Sequence, residues 1–321
     1  MIGKVDPDRL IELILDRTGH DDPAVEVGSS YGEDAAAIAF GNQYLVVSSD
    51  PLSLAASDLG RLAVYVASND VAASGADPRW LTAVLFLPTD DPSILDKITS
   101  DMDQTAATID LAIVGGHTEI LPILDRPLVS LTCIGTADRF ISSGGATAGD
   151  RIVLTKGAAI EGTAIIANDF ANRLPESSPA EVTRARAFVD EIGVIREAAI
   201  LRSHATAMHD PTEGGVLAGL IELALASEVE LVVERSSIPV RPETTSLCAQ
   251  LSLDPLRIFG SGALLASLPA MSVSAALDEL ESAGIDAAVI GHVEASDDPG
   301  VRLDGTLTQR APRDELYPLW E

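Results

Sequence analysis

The stretch Gly32–Asp50, GEDAAAIAFGNQYLVVSSD, constrains the fold more than any other part of the chain. Gly32 permits a tight turn, and Glu33 and Asp34 follow it at once. A run of small residues, the Gly41-Asn42 turn and the apolar run Tyr44–Val47 come next, and the run ends in Ser48-Ser49-Asp50. A buried strand that closes on a carboxylate, beside a second acidic turn, is unfavourable by itself. Carboxylates near a core cost several kcal/mol unless a cation or hydrogen bonds neutralise them. Oxygen ligands of this kind suit magnesium, which takes one or two carboxylates and completes its shell with water and substrate phosphates. The remaining chain is expected to bring more carboxylates and glycine turns to the same place.

Three other segments fit that expectation. Leu59, Leu62, Ala63, Val66 and Asp70 recur at spacings of three and four, so a helix starting near Ser57 or Asp58 carries Asp70 on its apolar side. A short apolar run, Leu111–Val114, reads as a buried strand and leads into Gly115-Gly-His-Thr-Glu119. A third turn reads His209-Asp-Pro-Thr-Glu-Gly-Gly215 ahead of an apolar helix. Taken singly, each has an ordinary explanation: turn punctuation for the glycines, a helix cap for Asp210 before Pro211, a solvated helix position for Asp70, a turn hydrogen bond for His117. Taken together, glycine-turn amides bind phosphate oxygens while carboxylates hold a metal. No GxxxxGK[ST] loop and no GxGxxG after a strand occurs, so neither a P-loop nor a Rossmann cofactor site is supported. With lysine only at Lys4, Lys97 and Lys156, phosphate charge falls to magnesium, amides and arginine.

Composition narrows the partners. The 321 residues carry 49 acidic against 21 basic side chains, a formal charge of −28. That balance argues against nucleic acid, which needs a basic face, and a lysine-poor acidic surface fits a salt-adapted cytoplasm. No run approaches the ~18 consecutive apolar residues of a membrane span, and the start MIGKVDPDRL has no signal-peptide core, so a cytoplasmic location is expected. Cys133 and Cys248 lack metal-ligand spacing and read as buried small hydrophobes.

The length predicts two domains, and Ser142-Ser-Gly-Gly-Ala-Thr-Ala-Gly-Asp150 is the clearest break, placing them at residues 1–141 and 142–321. Before it, helices are expected after Asp6-Pro7, near residue 58 and after Asp91-Pro92, with strands at Tyr44–Val47, Trp80–Leu87, Leu111–Val114 and Pro127–Gly135 and a loop over His20–Tyr31. After it, strands are expected at Arg151–Leu154, Glu230–Glu234, Ala263–Leu268 and Ala287–Ile290, interleaved with helices from about Glu161, over Val182–Ile192 and Val194–Ser203, up to Ala226, and at Val273–Ala283. The alternation is α/β in the first half and α+β in the second.

The order GEDAA, SSD, SNDVAASGADP, IVGGHTE, GGATAGDRIVLTKGAAIEGTAI and HDPTEGGV resembles the ATP-binding superfamily of aminoimidazole ribonucleotide (AIR) synthase. That PurM-like superfamily also holds thiamine-monophosphate kinase, selenophosphate synthetase and the hydrogenase maturation protein HypE. The likeness runs from about Gly28 to His292 and is nearest to the HypE branch and AIR synthase-related proteins. It implies an N-terminal α/β domain whose sheet pairs with a second subunit's in a barrel-like dimer core, a C-terminal α+β domain, and ATP with magnesium in the cleft between them. By motif, Asp34, Asp50 and Asp70 would hold metal, joined by Glu119; Asn69, Gly115, Gly116, Thr118 and Glu213 would contact nucleotide; Asp210 would stand near the reacting phosphate. Two departures are visible. The family's aspartate after the paired glycines is replaced by His117 with Glu119 two residues on, so His117 would act on substrate or Glu119 would substitute as ligand. HypE uses a C-terminal cysteine that becomes a thiocyanate, whereas this sequence finishes Tyr317-Pro-Leu-Trp-Glu321. The reading is an ATP- and magnesium-dependent homodimeric enzyme with an unassigned small-molecule or protein-borne acceptor; the alternatives are a small-molecule kinase and a non-catalytic nucleotide-binding scaffold.

Overall fold

The architecture comes from a computed structural model that describes residues 3–54 and 57–321. Part of the loop expected between Asp50 and the next helix falls at residues 55–56, outside the described residues.

Six strands make the first sheet: β1 Val25–Val27, β2 Ala36–Phe40, β3 Gln43–Leu52, β4 Asp77–Leu87, β5 Ala112–Ile120 and β6 Leu128–Ala137, in the order β1-β2-β3-β6-β4-β5. Only the β4–β5 pair is parallel. The helices Leu59–Ala73 and Pro92–Thr108 are its long helical elements. Every residue of the first of these except Arg61 is buried, which matches a stretch with almost no polar face. Asp91 caps the second by accepting from Ser93 N at 2.8 Å.

Several local expectations are revised. His20–Tyr31 contains β1 rather than being loop throughout. β3 does not stop at Val47 but carries Ser48-Ser49-Asp50 inside it and continues through Pro51. Proline is tolerated there because β2 pairs only as far as Val47, leaving that side of β3 without a ladder at residue 51. Likewise Gly115-Gly116-His117-Thr118-Glu119 is strand, not a turn after one, and of the apolar run before it only Leu111 is buried while Ala112, Ile113 and Val114 are exposed, because β5 is the outer strand of the sheet. After Asp6-Pro7 the helix covers Pro7–Leu10 and then widens to a π-turn over Ile11–Leu15; Ile11, Leu13 and Ile14 are exposed instead of forming a packed face.

Seven strands make the second sheet: β7 Arg151–Thr155, β8 Ala207–His209, β9 Glu230–Val233, β10 Leu265–Leu268, β11 Ala287–Glu294, β12 Gly300–Leu303 and β13 Thr306–Thr308, ordered β13-β12-β9-β11-β7-β10-β8. All pairs are antiparallel except β9–β12. β12, β13 and the helix Pro242–Leu251 were not foreseen from the sequence. Each sheet has its own apolar core. A further cluster joins Ala72, Ala73 and Ile141 to Val153, Leu201 and Met208, across the two halves. Apolar burial stabilises by about 25 cal/mol per Å², so this seam helps hold the halves together. Both sheets are open in this chain, and the segment 138–150 runs between them. Among the described residues no helix is long and apolar enough to cross a membrane.

Candidate active site

The seam brings four of the expected carboxylates together from four elements. Asp34 stands in the turn before β2, Asp50 in β3, Asp70 in the helix Leu59–Ala73, and Asp210 just after β8. The Gly32 turn is pressed against the helix Gly215–Ala226 of the second half: a Cβ at Gly32, whose φ is +86°, would come within 3.0 Å of the Glu222 carbonyl oxygen. Glu33 ties the same turn to the connecting segment, accepting from the Ser142 hydroxyl and from Ser143 N.

Within the cluster the contacts are short and polar. Ser48 Oγ donates to Asp70 Oδ2 at 2.5 Å and lies 3.4 Å from Asp50 Oδ2. Asp210 N donates to Asp34 Oδ2 at 3.4 Å. His209, which sequence reasoning passed over, lies between two carboxylates: Nδ1 is 2.7 Å from Asp34 Oδ1 and Nε2 is 3.1 Å from Glu222 Oε2. Burial opposes a charge on this imidazole, but Asp34 and Glu222 outweigh it and hold the ring cationic, above the ordinary histidine range.

The aspartates themselves are in conflict. Burial first, then the charges of Asp50 and Asp210, push the Asp70 carboxyl well above its usual range. Burial, then Asp34, pushes Asp210 up to about 8, against the opposing pull of His209. Both Asp210 carboxylate oxygens are buried, and the only side-chain group they meet is another carboxyl, that of Asp70, which can bond to them only by sharing a proton. A buried carboxyl pressed against three others is the arrangement a hard cation relieves. Among the described residues no three acidic, histidine or cysteine side chains close around one point as a finished metal cage. Magnesium does not need one, since it keeps several waters and takes phosphate oxygens, so the donor set fits that ion.

Other expected residues are placed differently. Asn69 is fully buried, with Nδ2 donating to Ile192 O and Oδ1 accepting from Val194 N, both at 2.9 Å, so its amide clamps the two halves together. Lys156 holds the opposite side of that loop, donating to Glu191 O and Gly193 O and pairing with Glu197 at 2.5 Å. Gly115, Gly116, His117, Thr118 and Glu119 lie in β5. Asp50, Leu131, Ala83 and Gly116 form one transverse row over β3, β6, β4 and β5. At about 4.8 Å per strand, that row puts the GGHTE segment about 14 Å from Asp50 in the same chain. His117 Nε2 and Glu119 Oε2 are 3.9 Å apart and both side chains are exposed. Glu213 stands beside a second buried acidic group. There burial pushes Glu161 and Asp314 up to about 7, with Ser261 facing Glu161 and Tyr317 facing Glu213.

The AIR synthase related protein N-terminal domain matches residues 32–137, and the corresponding C-terminal domain matches residues 147–304. Carbamoyl dehydratase HypE of Cupriavidus necator is 30% identical over 282 residues, covering 82% of this chain and 77% of the relative. The crystal structure of E. coli HypE, a hydrogenase maturation protein, superposes with a TM-score of 0.73 at 28% identity, covering 85% of this chain and 87% of that one. AaThiL complexed with AMPPCP and TMP shares the fold, with a TM-score of 0.77 at 21% identity over 97% of both chains. With both family domains in order and a HypE relative at this identity, the chain belongs to the AIR synthase-related family and is a two-domain, PurM-like, ATP-dependent enzyme of that family.

Proposed function

We propose that this protein binds ATP with magnesium in the seam between its halves and activates an oxygen of its acceptor by transferring a phosphoryl group from ATP to it. The observation that carries the reading is the convergence of Asp34, Asp50, Asp70 and Asp210, with Asp210 buried and meeting no cationic or neutral donor side chain. A cluster this unfavourable to the ligand-free fold is retained where it has a cation to hold. The AMPPCP in the ThiL complex supports a nucleotide as the ligand of this fold.

Asp34, Asp50 and Asp70 would hold magnesium, which when bound supplies positive charge to the phosphoryl oxygens. His209 fixes the rotamer of Asp34 through the 2.7 Å contact and balances one negative charge of the cluster. Ser48 does the same for Asp70 by hydrogen bonding. Asp210, next to Asp70 and carrying a raised pKa, would accept or hold the proton of the acceptor oxygen. The thiols offer no carrier of the HypE kind: Cys133 and Cys248 are both buried, and burial pushes each up to about 12. An acceptor from outside, a small molecule or a group borne on another protein, fits this best.

We further propose that the enzyme is a cytoplasmic homodimer joined through β5. All nine residues of that edge strand are exposed, including Ile113, Val114 and Ile120, and a long unpaired edge is normally covered. Pairing there would bring Gly115, Gly116, His117, Thr118 and Glu119 toward a second copy's site and account for their distance from Asp50 in their own chain.

The test is calorimetric ATP binding with and without magnesium in high-salt buffer, followed by phosphate release on the same sample and on Asp34→Asn. Magnesium-dependent binding with turnover lost in the variant, at unchanged folding, supports catalysis. Binding without turnover in either protein supports the scaffold, and no binding sinks the reading. Phosphate appearing on an added acceptor rather than in solution identifies the kinase alternative.

A further inference from the structure

The N-terminal segment lies across this site. Gly3 lies so close to the Tyr317 ring that a Cβ there would stand 2.5 Å from Cε2. Asp6 pairs with Arg310. Between these two tethers to the far end of the chain, Lys4 reaches in, and its Nζ donates to Thr212 Oγ1 at 3.3 Å. Thr212 lies in the turn between Asp210 and Glu213. Burial alone would disfavour the ammonium, but Glu222, Glu213, Asp50 and Asp70 outweigh it and hold its pKa above the ordinary lysine value. Lys4 nevertheless keeps exposed surface, so water screens part of that attraction. The Asp6–Arg310 tether, also exposed, is a surface ion pair, a kind of contact that adds little to stability. The segment is charge-matched to the site and weakly fastened.

We propose that residues 3–10 form a strap whose Lys4 ammonium, seated on Thr212, offsets the charge of Glu222 and Glu213 and, behind them, of Asp50 and Asp70 while the cluster holds no divalent cation, and which is displaced when one binds. The proposal rests on the metal-nucleotide reading above and adds a coupling to it. An ammonium and a divalent ion attracted by the same carboxylates disfavour each other, and linkage makes the effect reciprocal. The strap lowers metal affinity by the factor by which metal loosens the strap. Metal arriving with nucleotide would open the cleft, and departure of both would let Lys4 close it.

The experiment titrates Mn²⁺ without nucleotide into the full-length wild type, Lys4→Met and Lys4→Arg by calorimetry, and follows hydrogen exchange of residues 3–10. Lys4→Met is expected to bind Mn²⁺ about fivefold or more tightly, and Lys4→Arg to resemble wild type. Exchange in the strap should rise with metal in the wild type and be high and metal-independent in Lys4→Met. Unchanged or weaker Mn²⁺ binding by Lys4→Met, with strap exchange indifferent to metal in all proteins, overturns the strap while leaving wild-type metal and ATP binding intact. Loss of ATP affinity in Lys4→Met at unchanged Mn²⁺ affinity also overturns it, making Lys4 a phosphate contact. Failure of the wild type and both variants to bind either Mn²⁺ or ATP removes the metal-nucleotide reading itself, and the strap with it.

Discussion

His209 Nδ1 and Asp34 Oδ1 stand 2.7 Å apart, and this contact joins the second sheet's outer strand to the acidic turn of the first half. The other ring nitrogen faces Glu222 at 3.1 Å. Only the doubly protonated ring donates to both carboxylates. Replacing it by alanine removes the cation between two buried carboxylates, leaving Asp34 without one and Glu222 with Lys4 alone, which costs about 3–5 kcal/mol. Guanidinium-chloride unfolding of His209→Ala checks this, and His209→Gln should recover part of the loss by donating to one partner. A midpoint equal to wild type would mean that the contact carries no weight.

Asp210 sets stability against activity. Its carboxyl ordinarily ionises near 3.8 but is raised to about 8 here, by burial and then by Asp34. The ligand-free fold is therefore penalised as pH rises from the lower value through the higher. Asp210→Asn has no charge to bury, so at pH 9 without ligand it should be more stable than wild type by about 1–2 kcal/mol. ATP turnover in the same variant should fall about 100-fold or more if Asp210 handles the acceptor proton. Thermal melts and phosphate release on one preparation read both quantities; loss of stability, or full activity, would contradict the assignment.

The acidic residues were legible because each breaks an apolar pattern: Asp50 follows Tyr44–Val47, and Asp70 shares a helix face with Leu59, Leu62, Ala63 and Val66. Their convergence was legible only through the order of the motifs. His209 was hidden because its role depends on Asp34 and Glu222, which the fold alone brings to it. Lys4 was hidden for the same reason, being placed through Tyr317 and Arg310. The apolar run before Gly115 has the composition of a buried strand, yet only Leu111 is buried, because burial depends on a strand's place in the sheet and β5 is at the edge. β1, β12 and β13 are three or four residues long, too short for a period of two to register.

Glu161 gives a pH dependence outside the aspartate cluster. Burial raises its carboxyl from 4.5 to about 7; Ser261 works against the rise and Glu213 with it. Below pH 4.5 both folded and unfolded chains bind the proton. Above it the unfolded chain releases the proton first, so stability falls as pH rises to about 7, where the folded chain follows. Asp314, raised from 3.8 to about 7 chiefly by burial, acts in the same direction. Glu161→Gln should flatten the part of the stability–pH curve between pH 5 and 7 that belongs to this group, with its largest gain over wild type above pH 7. A curve parallel to wild type across that range would show that Glu161 is solvated as freely in the fold as in the unfolded chain.

The paired glycines of β5 separate fold from function. A Cβ on Gly116 would stand 1.9 Å from Ala83 O, inside the β4–β5 ladder, whereas one on Gly115 would meet nothing within 4 Å. Gly116→Ala must push the two strands apart, and an overpacking clash of this kind costs about 1–3 kcal/mol, toward the upper end here because the obstacle is backbone. Gly115→Ala should stay within about 0.5 kcal/mol of wild type. Any loss of ATP affinity in Gly115→Ala then reports on the nucleotide rather than on folding, because the added methyl group obstructs only what approaches the strand from outside. If Gly115→Ala unfolds as readily as Gly116→Ala, the open space beside Gly115 is filled in solution, and pairing with a second copy at this edge is the first thing to examine by sedimentation of both variants.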